Sequence, residues 1–189
     1  MPRLSSSIVR ALLLPGTVVH ELSHATAVIL TPGVRLTEFD ATSHVAHEGR
    51  YTVSRAFFIS YAPLILHSGL ALLATVALLD ARLRTPTEIL TAVGLTYAIA
   101  ALGVTALPSW ADAVFPLSLC RQRLRSLRGL LLFPLVLVWT VLALPGLVLS
   151  FLGRQSALLQ LAFGAVYTGL LVAGGQFLAT ELTVGMLPP

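Results

Sequence analysis

The sequence predicts an all-α membrane protein of about five transmembrane helices, with a short β-hairpin between the first and second. Three observations carry this expectation. Hydrophobic residues make up 56% of the 189 residues and charged ones 11%, with a mean hydropathy of +0.88; a soluble globular domain has no need of so much apolar surface. Five apolar segments, near 8–30, 56–79, 88–107, 129–152 and 157–178, have the length of helix, roughly 20 residues, that crosses a bilayer. The only sizeable polar stretch, 31–55, falls between the first two. On length the chain is a single integral-membrane domain, 1–189.

The net charge of +4 comes from arginine alone, since the chain contains no lysine. These arginines sit between apolar runs, so they report topology and not nucleic-acid binding. A single Cys120 excludes an internal disulfide and a cysteine-based metal cluster, and reads as a small residue in a helix.

The first segment opens like a signal peptide, with Arg3, Arg10 and a short apolar run. It continues through Pro15-Gly16 to Leu30 with no small-residue cleavage site, which reads as a retained transmembrane helix. Gly16, Ser23, Ala25 and Ala27 keep it slim enough for close packing, and Pro15-Gly16 is a place for a kink. Within it stands His20-Glu21-Leu22-Ser23-His24. Helix positions i and i+4 share a face, so His20 and His24 can point at one ion. Glu21 lies about 100° around the helix from His20, beside a metal's open position rather than on the metal. This is the pattern of a zinc hydrolase, with a third ligand from elsewhere. With 5 histidines in 189 residues, such a pentapeptide arises by chance roughly 0.003 times. Ionisable groups inside a membrane segment cost about 2.5–3.5 kcal/mol each and by default mark function.

In the polar stretch, Thr31-Pro32-Gly33 ends the first helix. Val34, Leu36 and Phe39 come close to alternation, and Tyr51 to Ser54 alternate again, which suggests a hairpin. His44, His47 and Glu48 fall near its tip, as a solvated turn or a second metal site. The second segment holds Tyr61-Ala62-Pro63 and His67. Pro63 breaks one backbone hydrogen bond that neighbouring helices must make good. His67 is either a proton or oxyanion donor in the site, or a satisfied core histidine. Arg82 and Arg84 mark the next loop.

The third segment ends at Leu107 and is followed by Pro108-Ser109-Trp110-Ala111-Asp112. Asp112 is the candidate third ligand. It also fits a helix start, with Ser109 as cap and Asp112 in the first turn, and the two roles are compatible. Glu181 is the reserve ligand.

These residues resemble the site-2 protease family of intramembrane zinc metalloproteases, as a short, divergent member. The match rests on His20-Glu21-x-x-His24, on Ala62-Pro63 early in the second helix, and on the Asp-bearing loop after the third; it spans about 8–115, with two further helices about 129–178. Where the family commonly has Gly-Pro-x-x-Asn, this chain has Ala62, Pro63 and Leu66, leaving the Asn role to His67 or unfilled. The family's Leu-Asp-Gly setting of the third ligand is replaced by Pro108-Ser109 ahead of Asp112.

The resemblance implies a zinc metalloendopeptidase that cuts peptide bonds in or near membrane-spanning segments. Zinc (Zn2+) would be held by His20, His24 and Asp112, with Glu21 and His67 in catalysis. Its partners would be a membrane-protein or peptide substrate and the lipid bilayer, with no nucleic acid. The alternative is a non-catalytic metal- or partner-binding membrane protein that keeps the same helical core. The arginine cluster at 121–128 favours that side as cytoplasmic. The expected location is therefore the cell membrane, with the N-terminus outside and the hairpin and Asp112 toward the cytoplasm.

Overall fold

The computed structural model describes residues 2–81, 83–106, 109–124, 148 and 157–185, with side chains described at 11–81, 83–106, 109–122, 148, 162 and 164–180. Among the described residues there are five helices and one hairpin: α1 (Pro2–Leu30), β1 (Val34–Asp40), β2 (His44–Gly49), α2 (Val53–Leu79), α3 (Pro86–Thr105), α4 (Trp110–Leu124) and α5 (Ala157–Gly185). Among the described residues, three stretches are long and apolar enough to cross a membrane: Ala11–Leu30, Val53–Leu79 and Pro86–Thr105. The expected segment at 129–152 lies outside the described residues apart from Val148, and α5 occupies the expected fifth segment.

Local chemistry sets the helix boundaries. Thr52 caps α2 by accepting the Arg55 N–H on its side chain. Thr85 and Glu88 form a reciprocal capping box at the start of α3, with Pro86 behind the cap. Gly33 ends α1 at φ +75°, a backbone state that costs glycine little. The hairpin is antiparallel, with Val34 opposite Gly49 and Asp40 opposite His44, and a bulge between Leu36 and Glu38. Its turn is closed by Asp40, whose side chain accepts the Thr42 N–H at 2.8 Å. That bond, the largest influence, pulls the Asp40 carboxyl down to about 2.

Two sequence expectations are corrected here. Residues 51–54 are not the second strand: Thr52 must cap α2, so the strand lies earlier, at His44–Gly49. His44 and Glu48 are accordingly spread along β2 instead of clustering at the tip. His44 pairs with Glu38 at 3.2 Å and Glu48 pairs with Arg35, all on exposed side chains.

Packing follows from small residues. α1 lies against α2 and α3, α5 covers α2 and α3, α4 rests on α2, and the hairpin sits on α1. One cluster joins Ala27, Val28 and Ile59 to hairpin residues Val34, Leu36 and Val45. A second joins Ala71, Leu102 and Leu171 to Val19 and Tyr167. Gly16 lies so close to α3 that a Cβ would stand 2.7 Å from the Ala101 carbonyl oxygen. The buried positions include polar residues, and many large apolar side chains face outward. His67, Ser60 and Thr75 are inside, while Leu73, Leu90 and Ile29 are about 70% exposed.

The α3–α5 contact provides a test of this packing. A Cβ on Gly103 would drive into the Thr168 side chain, whereas one on Gly94 meets nothing within 4 Å. Gly103→Ala should cost about 1–3 kcal/mol through overpacking. Gly94→Ala should be neutral or gain about 0.5–1 kcal/mol from helix propensity. Thermal unfolding of the purified variants in detergent checks both.

Candidate metal centre

The i, i+4 spacing places His20 and His24 one above the other on the inward face of α1, with side chains 12% and 8% exposed. What aims them is the backbone of two other helices. His20 Nδ1 lies 2.7 Å from the Thr105 carbonyl oxygen, at the end of α3. His24 Nδ1 lies 2.8 Å from the Ile59 carbonyl oxygen of α2. A carbonyl only accepts, so each Nδ1 carries a proton, and in the neutral form of the ring Nε2 is left as a bare lone pair.

Those two Nε2 atoms are 3.2 Å apart. Asp112 brings its Oδ1 to 3.3 Å from His24 Nε2 and its Oδ2 to 3.9 Å from His20 Nε2. One atom from each of the three residues can be chosen so that all lie within 4.8 Å of one another. Three acceptors thus face one point, where only a cation or an added proton can relieve their repulsion. The spacing fits a cation: bonds of about 2.0–2.1 Å at tetrahedral angles separate neighbouring zinc ligands by about 3.3 Å.

Asp112 combines both roles expected of it. Its Oδ2 accepts the Ser109 N–H at 2.8 Å, and Ser109 Oγ accepts the Asp112 N–H at 3.3 Å. This reciprocal cap starts α4 and holds the carboxylate over α1. Burial pushes its carboxyl up, but hydrogen bonds from the His20 and His24 rings, in their protonated form, and from Ser109 outweigh that and hold it below the usual carboxylate range. It therefore stands ionised, as a ligand must. Glu21, partly exposed, is the next residue on α1 after His20.

His67 is fully buried, with its ring 5.8 Å from that of His20. Its Nδ1 donates to the Leu102 carbonyl at 3.0 Å, and among the described residues its Nε2 makes no hydrogen bond. The Glu181 side chain lies outside the described residues.

The hairpin contributes a group that sequence reasoning did not connect to this centre. His47 Nδ1 is 2.6 Å from Tyr51 Oη, and both rings pack on Phe115 of α4. Burial pushes the His47 ring below the ordinary histidine range, and a protonated His24 pushes the same way, against Asp112. His47 is thus within electrical reach of the centre but is not one of its three converging groups. Its spacing in the sequence carries no sign of this, because Phe115 is 68 positions away.

Fold and centre together define the class: a mostly helical protein with three stretches able to span a membrane and a His-His-Asp group able to hold a metal ion. Compared with known proteins, the chain matches no family model, no curated protein and no solved structure.

Asp112→Ala should weaken zinc binding by orders of magnitude, since two imidazoles are too few protein ligands for the usual site. Ser109→Ala keeps the backbone N–H that holds Oδ2 and should cost at most about 1 kcal/mol of stability through the cap, with zinc affinity close to wild type. Zinc titration of the metal-free variants, followed by thermal unfolding, separates the two effects.

Proposed function

We propose that this protein is an intramembrane zinc metalloprotease that hydrolyses peptide bonds in or near membrane-spanning segments of protein substrates. The observation that carries the reading is the convergence of His20, His24 and Asp112 at 3.2–3.9 Å, with Glu21 beside them on an apolar helix. The resemblance of His20-Glu21-x-x-His24 and Ala62-Pro63 to the site-2 protease family supports it. A bound zinc would act as Lewis acid and lower the pKa of its water from about 9 toward 7.

The chain's own residues then have distinct tasks. Glu21 accepts a proton from the attacking water and delivers it to the leaving amine. A metal site alone has no use for that carboxylate, which sets the protease reading above a non-catalytic metal-binding protein. A substrate helix has its backbone hydrogen bonds satisfied internally, so it must unwind before cleavage. The exposed hairpin, which rests on α1 and meets Phe115 of α4 through His47, can receive the unwound segment by strand addition. His67, whose Nδ1 is tied to α3, serves as a buried brace under His20.

Glu21→Ala should retain zinc and fold while cleavage of a transmembrane reporter falls by at least about 100-fold, the lower range for losing a general base. His24→Ala should lose zinc and cleavage together. Cleavage by Glu21→Ala at the wild-type rate would overturn the mechanism.

The cell-membrane location with a cytoplasm-facing centre has its own check. In a protein whose Cys120 is replaced by Ser, a cysteine at position 44 should resist an impermeant maleimide in intact cells. It should react once the cells are opened, and labelling from outside would reverse the topology.

A further inference from the structure

Pro63 stands in the middle of α2, fully buried, where a proline lacks the N–H that would bond to the carbonyl four residues back. That carbonyl is Ile59, and Ile59 is the residue whose oxygen accepts the His24 Nδ1–H at 2.8 Å. Ile59 is itself 1% exposed, so no solvent is at hand to serve its carbonyl. Two groups that would each be unsatisfied in an apolar bundle, a freed carbonyl and a ring N–H, therefore satisfy each other.

We infer that Pro63 is a positioning residue for the metal centre: by freeing the Ile59 carbonyl it fixes the tautomer and direction of His24. The inference deepens the metal-centre reading and rests on it for its consequence, but not for its geometry. With any residue bearing an N–H at position 63, the Ile59 carbonyl is drawn back into the α2 ladder. The proline ring no longer pushes that carbonyl out of line, and His24 loses its partner. Its ring is then free to take the other tautomer, in which Nε2 carries the proton and cannot ligate. The neighbouring ligand is held by a different device. His20 bonds to Thr105, one of the last four carbonyls of α3, which lack an intrahelical partner in any case.

The test uses the full-length protein in detergent. Pro63→Ala and Pro63→Val both restore the N–H, and Val nearly keeps the buried volume. In metal-free wild type, 15N spectra of the histidine rings should show His24 protonated at Nδ1 with Nε2 bare. Both variants should show a mixture of tautomers at His24, with His20 unchanged. Zinc affinity should fall about 10–100-fold in both, the usual effect of losing a ligand's orienting partner. Pro15→Ala, a proline inside α1 on an exposed position, should change neither readout.

An unchanged His24 tautomer, with zinc affinity within about twofold of wild type in both variants, would overturn the inference. If Pro63→Ala fails to fold, Pro63→Val alone decides it. If wild type binds no zinc, the metalloprotease reading fails, and the metal-free ring spectra still decide the role of Pro63.

Discussion

Two hydrogen bonds from imidazole N–H groups to backbone carbonyls set the arrangement on which the candidate centre depends. In an apolar bundle a polar group must find its partner inside the protein. His20 finds the end of α3 and His24 finds the proline-interrupted stretch of α2. Each bond fixes one ring, and each also ties α1 to a different neighbour. Gly16, one turn before His20, lets α3 approach closely enough for the Thr105 carbonyl to reach. Without that approach the two Nε2 atoms would have no reason to face one point.

The remaining parts are built outward from this crossing. α4 begins where Ser109 and Asp112 cap one another, so the turn that starts the helix also delivers the third acceptor. Its Phe115 receives His47 and Tyr51 from the hairpin side, while Val28 and Ile59 anchor the hairpin's apolar residues. On the other side α5 closes over α2 and α3, with Tyr167 bonded to Ser68 at 2.5 Å. The described side chains place polar groups within and large apolar ones outside, which suits three helices able to lie in a bilayer.

Much of this was legible in the residue order, and the reasons differ by element. Helical spans announce themselves through composition, which is why α2 and α3 begin within three residues of where they were expected. Capping signals are equally local: Ser109 with Asp112 reads the same in sequence and structure. The second strand was misplaced because alternation at Tyr51–Ser54 competes with a cap at Thr52, and over four residues a pattern of period two is weak evidence. His44 and His47 were indistinguishable as letters. Packing separated them, leaving one on an exposed ion pair and the other on Phe115.

The sequence by itself determined that His20 and His24 share a face with Glu21 beside them, because helical periodicity follows from backbone geometry alone. It also determined that Pro63 leaves the Ile59 carbonyl without its helical partner, for the same reason. Only the tertiary structure decided what that carbonyl would meet, and that Thr105, 85 positions from His20, would turn its ring toward Asp112. Those pairings depend on how closely and at what angle three helices cross. Such crossings are set by the summed packing of small residues along whole helices, which no short stretch of sequence encodes.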